Sequence, residues 1–496
     1  MKQIFYITSD PERACGVEDL LPGFHIIYSD NSQIAFSIAN EGVNIKNFVT
    51  PYSNSTEKLI SLSEVKEYIK LFDNRELNVI VFKNSGEIES SSQFYGYNLI
   101  NVSYKLQKEI ENKINIVWLF SDLNEIRFPR NEISERLEDL EYESIKYKLG
   151  NEFVIQFMFG HTGNSTFFID SKEEFDLVKN KYPKRVVKIS QRINGPSYTT
   201  NAVVTPYGIV VGGISEQITG IAGLTASRGG TVGNDFSCRH LDDKTKEEII
   251  NKTMIIGEKL STLGFIGGFG VDFVIDKDTL EIFVIEVNAR QTASMSYASY
   301  LQRKNKIVPI MLWHILTLLK HNFDEELILM KQDEQDWINH SIYQFIRSND
   351  KLEYNYLNNP NINASQVIFR NLYNFDLQVI EQFPSGLYRI RGRTPNESAL
   401  LEGDEEEYPA VFKLNENGWT NLCFVKRSHS ILDIHNNEDF LIYFSGEKSV
   451  VSPFGEIGRI QMLAPAFENK ESTYLKGFVY DVVNCIKENS RLVRYE

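Results

Sequence analysis

A mixed α/β (α+β) chain built in three parts is predicted by three observations. In the first third, short apolar runs alternate with segments of helical spacing. From residue 152, strand-like runs follow one another, and nine of the 30 glycines lie between Gly195 and Gly233. After residue 325 the glycine-rich character ends, and short strand-like runs continue to a last helix. At 496 residues the chain has room for about three or four domains or subdomains. The divisions expected are an N-terminal α/β domain over 1–130, a core over 131–325 and a β-rich accessory domain over 326–496.

In the first part, residues 4–7, 26–28, 79–82 and 114–120 are apolar runs short enough for strands. Residues 62–72 and 104–113 have helical spacing, and Asn131 followed by a charged run to Lys148 predicts a capped helix. In the second part, strands are predicted over 153–159, 166–169, 185–191, 197–204 and 209–213, with helices over 171–181 and 241–263. Residues 267–276 and 280–288 predict a hairpin, and 307–320 a buried helix. In the third part, strand-like runs fall at 341–347, 366–372, 387–391, 410–414 and 440–444, before a helix over 475–488. The acidic run 402–407 reads as a solvated loop.

Composition excludes several classes. Hydrophobic residues at 42% and charged residues at 24% describe a globular chain rather than a fibrous or disordered one. A net charge of −15 opposes nucleic acid or an anionic membrane as the main partner. Cys15, Cys238, Cys423 and Cys485 are far apart with no CxxC, which fits a reducing, cytoplasmic setting. The first residues reach charge at once, without a signal-type apolar run. The longest apolar stretch, 307–319, contains His314 and is too short to span a bilayer.

The chemistry concentrates in two segments, Gly270-Val271-Asp272-Phe273 and Ile285-Glu286-Val287-Asn288-Ala289-Arg290. If these are paired strands, Asp272, Glu286 and Asn288 converge, because residues two apart share a face. Two carboxylates and an amide oxygen are hard ligands suited to Mg²⁺. Arg290 continues the same face, where a planar cation stabilises charge on a transferring phosphoryl group. The bland alternative is a surface hairpin, but apolar Phe273, Ile285 and Val287 interleave, so the polar face points inward. A second element is a strand containing Gln156 followed by Gly160-His161-Thr162-Gly163. Its glycines let backbone N–H groups close over phosphates, although a plain hairpin loop has the same look. A third is the alternating stretch around Lys188, Ser190, Gln191 and Ile193, ending in Gly195. Alone it is an ordinary strand.

In this order and spacing the three elements resemble the ATP-grasp superfamily. The resemblance covers about residues 140–320, and more loosely the α/β region before them. It implies an ATP-grasp core of two α+β subdomains binding ATP and Mg²⁺, with Asp272, Glu286 and Asn288 as metal ligands. Arg290 is then the arginine on the acyl phosphate. Gly160, Thr162 and Gly163 cover the phosphates, and Ser190, Gln191 and Ile193 form the hinge under the purine. Two positions depart from the superfamily pattern. Gln156 stands where a lysine is usual, and Ser190 and Gln191 where a glutamate is usual. Lys188 either takes over the missing charge or faces solvent; Lys146 and Lys148 are weaker replacements.

The stretches VIQ…GHTGNSTFFI, INGPSYTTNAVVTPYGIVVGG and GGTVGNDF are similar to peptide ligases of natural-product pathways, of the pheganomycin type. That implies a carboxylate–amine ligase acting on small-molecule substrates, which activates an amino-acid or peptide-like carboxylate and joins it to an amine. Glu216, Gln217 and residues 229–235 then lie over the acceptor pocket, and a homodimer is a common state. The same acyl-phosphate chemistry could load a carrier protein, and the two departures leave a non-catalytic ATP-binding regulator open. Arg389, Arg391 and Arg393 alternate and could receive a carboxylate, but also fit a solvated basic face. Asp276 and Asp278 read as a turn.

Overall fold

A computed structural model describes residues 3–29, 33–48, 55–72, 77–159, 165–392, 410–413, 420–435, 438–468 and 475–495. The N-terminal region is a five-stranded parallel sheet in the order Asn44–Asn47, Phe24–Tyr28, Gln3–Thr8, Leu77–Val81, Asn98–Leu99. Both faces are covered: Ile4 and Tyr6 enter one apolar core, Phe5 and Ile7 another. Burial on both sides explains why these strands read as near-continuous apolar runs. The sheet order reverses between Gln3–Thr8 and Leu77–Val81. The loops after their carboxyl ends, 9–13 and 82–85, therefore open at a topological switch point, where α/β sheets place ligands.

A small antiparallel sheet follows, in the order Asn131–Ser134, Val187–Gln191, Phe153–Phe157, Thr166–Ile169. Helices Tyr142–Leu149 and Lys172–Lys181 cover it, the second capped by Ser171. Among the described residues the largest sheet has eleven antiparallel strands. Its first five are Ile282–Asn288, Gly267–Ile275, Ser197–Thr205, Gly208–Thr219 and Thr231–Asp235. It continues without a break through Ser365–Arg370, Glu456–Met462, Asp439–Phe444, Gly386–Gly392, Thr420–Lys426 and Ala410–Lys413. Strands from before and after residue 325 thus share one hydrogen-bonded sheet. Asp243–Thr262 packs on its 197–219 strands, and Ile310–Leu318, buried at all nine positions, on 197–205 and 267–275. Among the described residues no helix is long and apolar enough to cross a membrane. The four cysteines are buried, and none forms a disulfide.

Three elements differ from the sequence expectation. Residues 114–120 are not a strand; Asn115–Leu119 is a helix, burying Ile116 and Phe120 one turn apart and exposing Trp118. A short apolar run does not by itself distinguish the two. Asn131 does not cap a helix: Asn131–Ser134 is a strand paired with Val187–Gln191, and the helix starts at Tyr142. Residues 341–347 end the helix Gln332–Arg347, which buries Ile338, Ile342 and Phe345 along one face.

Candidate active site

The hairpin Gly267–Ile275/Ile282–Asn288 turns on Asp276, whose Oδ1 accepts the N–H groups of Asp278 and Thr279 at 3.0 and 2.8 Å. Its register sets Asp272 directly opposite Glu286 and Gly270 opposite Asn288. Directly opposite residues point to the same face, so the two carboxylates meet. Val271, Phe273, Val284 and Val287 fill a core. An irregularity between Asp272 and Phe273 leaves Ile285 without an opposite residue and turns it onto the same cavity as Glu286.

Each polar group has a defined neighbour. Thr199, opposite Asp272 on the next strand, donates its hydroxyl to Asp272 Oδ1. Gln217 donates Nε2 to Thr199 Oγ1 at 2.8 Å. Asn288 donates Nδ2 to Asp272 Oδ2 at 3.5 Å and turns its Oδ1 to Arg290, whose Nη2 lies 3.2 Å away. Glu286 pairs with Lys113 at 3.1 Å. Burial, and next the Glu286 charge, push the Asp272 carboxyl up to about 6 against the Thr199 hydrogen bond. Arg290 lies 3.1 Å from Glu111 through Nε and stacks over Phe82 at 5.5 Å.

Lys188 stands across the strand pair from Gln156. It is 4% exposed, and among the described residues no carboxylate pairs with it. Burial first, and the Lys113 charge second, lower its ammonium to about 8. Gln156 is buried and donates Nε2 to Thr166 Oγ1 at 3.5 Å. Gln191 accepts from Arg130 Nε at 2.9 Å.

These residues line one cavity of about 670 Å³: Gln156, Lys188, Ser190, Gln191 and Ile193 on one side, Asp272, Glu286, Asn288 and Arg290 on the other. The structure thus brings together nine of the residues singled out in the sequence. Gly160, His161, Thr162 and Gly163 lie outside the described residues, as do Arg393 and the acidic run 402–407. Gln217 and Gly229 border this cavity, but Glu216, its neighbour on the same strand, does not. Residues 231–235 form a strand rather than a loop, and Thr231 borders the same cavity. Arg389 forms a two-pronged ion pair with Asp439 at 2.6 and 3.1 Å. Asp276 shapes its turn.

Sequence reasoning missed Lys113. It precedes an apolar run without any motif, and only the fold carries it to Glu286. It also missed a second cavity, of about 810 Å³, whose lining includes Asp10, Arg13, Lys83, Ser85, Glu456 and Arg459. The two cavities share Arg13, Phe82, Lys83, Glu286, Asn288 and Arg290 as a common wall.

Among the described residues no group of three or more His, Cys, Asp or Glu is placed to hold a metal. The donor set is instead two carboxylates and an amide. Among the described residues Glu286 has an ion pair with Lys113 and Asp272 has none, and the hard oxygen donors on this face suit a divalent ion.

Comparison with known proteins bears on the fold. Residues 110–294 match the family described as ATP-grasp domain. No curated protein matches the sequence. Among solved structures, carboxyaminoimidazole ribonucleotide synthase from Aspergillus clavatus complexed with ATP has a TM-score of 0.53 at 12% identity, covering 98% of this chain and 99% of that one. The biotin carboxylase domain of Hydrogenobacter thermophilus 2-oxoglutarate carboxylase, complexed with MgADP, ADP and bicarbonate, has a TM-score of 0.55 at 11% identity. The alignment covers 100% of this chain and 91% of that one. At these identities the likeness is one of fold. Residues 110–294 are thus similar to the ATP-grasp domain family, within a fold that these structures share over nearly their whole length.

Proposed function

We propose that the protein is an ATP- and Mg²⁺-dependent, ADP-forming ligase. It activates a carboxylate as an acyl phosphate and joins it to an amine as an amide. The observation that carries this reading is the shared wall. The carboxylate pair Asp272/Glu286 and the buried Lys188, which no carboxylate pairs among the described residues, lie in one cavity, and Arg290 borders both that cavity and a second one large enough for another substrate. The reading places ATP in the first cavity, with adenine against Ser190, Gln191 and Ile193 and the phosphates toward Lys188 and Lys113. Asp272, Glu286 and Asn288 would hold magnesium, with the Asn288 amide turned so that its oxygen faces Asp272. Magnesium, when bound, supplies positive charge beside the triphosphate.

The remaining work falls to this chain's own side chains. A substrate carboxylate oxygen bonds to the γ-phosphorus as the bond to ADP breaks. The product is an acyl phosphate. Lys188 and Lys113 offset the negative charge of the phosphates, and Arg290 holds the acyl-phosphate oxygens. The amine then attacks the carbonyl carbon, phosphate leaves, and the amine loses a proton to solvent. Thr199 and Gln217 keep Asp272 oriented. The motif resemblance to peptide ligases of natural-product pathways supports amide formation, and four buried cysteines outside any disulfide support a cytoplasmic setting.

The test is ADP and phosphate release that requires both a carboxylic acid and an amine, together with a MgATP-induced rise in melting temperature. Asp272→Asn combined with Glu286→Gln is expected to abolish that rise. An undiminished rise counts against the metal assignment. Gln156 in place of a lysine favours a second reading, a nucleotide-binding regulator without turnover. Absence of ADP release with every acid and amine tried, alongside a retained melting shift, selects that reading.

A further inference from the structure

Arg290 lies two residues past the end of the strand Ile282–Asn288, so the ladder that places Glu286 no longer places it. Its guanidinium is aimed by short-range contacts: Nη2 to Asn288 Oδ1 at 3.2 Å and Nη1 to the Gln291 carbonyl at 3.1 Å. The second contact is only as well placed as the Gln291 peptide. Gln291 is 1% exposed, and its side chain is held from the N-terminal region. Its Nε2 donates to the Arg13 carbonyl at 2.7 Å, and its Oε1 accepts the Tyr6 hydroxyl at 2.6 Å. A carbonyl only accepts, so the amide nitrogen must face Arg13, and the Tyr6 hydroxyl must donate. Tyr6 is fully buried on the central strand Gln3–Thr8. The tie is returned by the neighbouring residues. Arg13 Nη1 donates to the Ala293 carbonyl at 2.8 Å, and Ser296 Oγ to the Arg13 carbonyl at 3.2 Å. Phe82 takes both guanidiniums on its ring, Arg13 at 5.3 Å and Arg290 at 5.5 Å. The anchor is itself braced, since Arg459 donates Nη1 to Glu12 and Nη2 to Asp10 at 2.8 Å.

The other side of the segment is fixed to the large sheet. Thr292 donates its hydroxyl to Asn201 Oδ1 on the strand Ser197–Thr205. It also packs on Gly270 of the hairpin so closely that an added Cβ would fall 2.4 Å from its Cγ2. Residues 290–293 are thus clamped between the sheet that carries Asp272 and the segment whose Asp10 and Arg13 line the second cavity. An apolar side chain of similar volume would fill the Gln291 site without fixing the peptide, and a displacement of about 1 Å at a reacting centre costs about 10²-fold in rate. Resting on the ligase reading above, we propose that Gln291 is a positioning residue for Arg290. It ties the peptide that aims the guanidinium to Tyr6 and Arg13, so that Arg290 meets the acyl phosphate at the common wall of the two cavities.

Turnover of the full-length protein is read in both directions. Forward, it is ADP release with the acid and amine that serve best. In reverse, it is ATP formed from MgADP and acetyl phosphate, in which an ADP oxygen bonds to phosphorus as the bond to acetate breaks. Gln291→Met is expected to slow turnover roughly tenfold or more, with KM for MgATP within about twofold and the MgATP melting shift retained. It leaves the Tyr6 hydroxyl buried without a partner, so the melting temperature also falls. Adding Tyr6→Phe removes that orphan and is expected to restore the melting temperature but not the rate. In an Arg290→Ala background, Gln291→Met is expected to cost no further rate, because it acts through that arginine. A Gln291→Met rate within about twofold of the parent, a rate that recovers together with the melting temperature, or an equal further loss in Arg290→Ala each overturns the assignment. Tyr6→Phe alone serves if Gln291→Met fails to fold, with roughly threefold slower turnover expected and an unchanged rate overturning the assignment. No turnover of the parent in either direction overturns the ligase reading itself, and this assignment with it.

Discussion

Lys188 is a buried ammonium without a carboxylate partner among the described residues, facing a cavity across from a glutamine. Burial and the Lys113 charge hold it near 8, while Glu286 works the other way. Its positive charge is therefore present below about 8 and lost above it. Bound phosphates favour the charged form. ATP affinity is expected to fall as pH rises through this range, and Lys188→Met is expected to weaken binding at pH 7 and flatten the profile. Isothermal titration across pH 6.5 to 9.5 checks both; an unchanged profile in Lys188→Met removes Lys188 from the phosphate site. Arg290 makes a different kind of contribution, because it borders both cavities and neighbours Asn288. Arg290→Ala is expected to keep the MgATP melting shift and lose about 10²–10³ in kcat, the size of one lost oxyanion donor. Single-turnover ADP release measures this, and unimpaired turnover excludes the role. These residues were legible because a polar face alternating with Phe273, Ile285 and Val287 is a local signal. Lys113 was not, since nothing near it in sequence marks its pairing with Glu286.

At the scale of elements, alternation with period two located the hairpin, and the register made its facing residues a pair. The sequence was less informative where long-range pairing decided the outcome. Asn131 has a side chain suited to capping, yet its segment gains more by bonding along Val187–Gln191, and its Nδ2 donates instead to the Pro129 carbonyl at 2.9 Å. The segment 192–196 shows how two elements are clamped at the cavity edge. Asn194 accepts from Lys277 N at 2.8 Å and Pro196 from Ile275 N at 3.1 Å. Between them Gly195 approaches so closely that an added Cβ falls 1.8 Å from the Ile275 carbonyl oxygen. Backbone cannot yield as a side-chain tip does. Gly195→Ala is expected to cost about 1–3 kcal/mol through overpacking and to raise KM for ATP, since Ile193 and Asn194 line the same cavity. Thermal unfolding alongside ATP titration checks it; a melting temperature equal to the parent's contradicts the clamp.

Over the whole molecule, a division at residue 325 follows composition, but the hydrogen bonding does not stop there. Thr231–Asp235 pairs with Ser365–Arg370, which pairs with Glu456–Met462, and the row continues to the far edge. Buried side chains cross the same seam. Gln366 donates Nε2 to Asn234 Oδ1 at 3.2 Å, Asp235 accepts from Ala466 N at 2.8 Å, and Tyr297 donates to the carbonyls of Ser365 and Met462 at 3.0 and 2.9 Å. Gly233 approaches Gln366 so nearly that a Cβ would meet its carbonyl oxygen at 2.0 Å. Removing residues 326–496 therefore does more than delete a wall of the second cavity. It opens the Thr231–Asp235 strand as an unpaired edge, strips the cover from the buried Asp235 and Tyr297, and leaves Asp10 and Glu12 without Arg459. An exposed edge beside uncovered apolar surface is an aggregation site, and unpaired buried carboxylates are destabilising. A fragment of residues 1–325 is expected to elute as aggregate and to lack a cooperative thermal transition, although it contains every residue of the carboxylate pair and of the Lys188 strand. Size-exclusion chromatography with differential scanning fluorimetry decides the matter. A monomeric fragment that melts cooperatively and shifts with MgATP would show that the nucleotide-binding part stands alone and that the eleven-stranded sheet is a junction of two folding units rather than one.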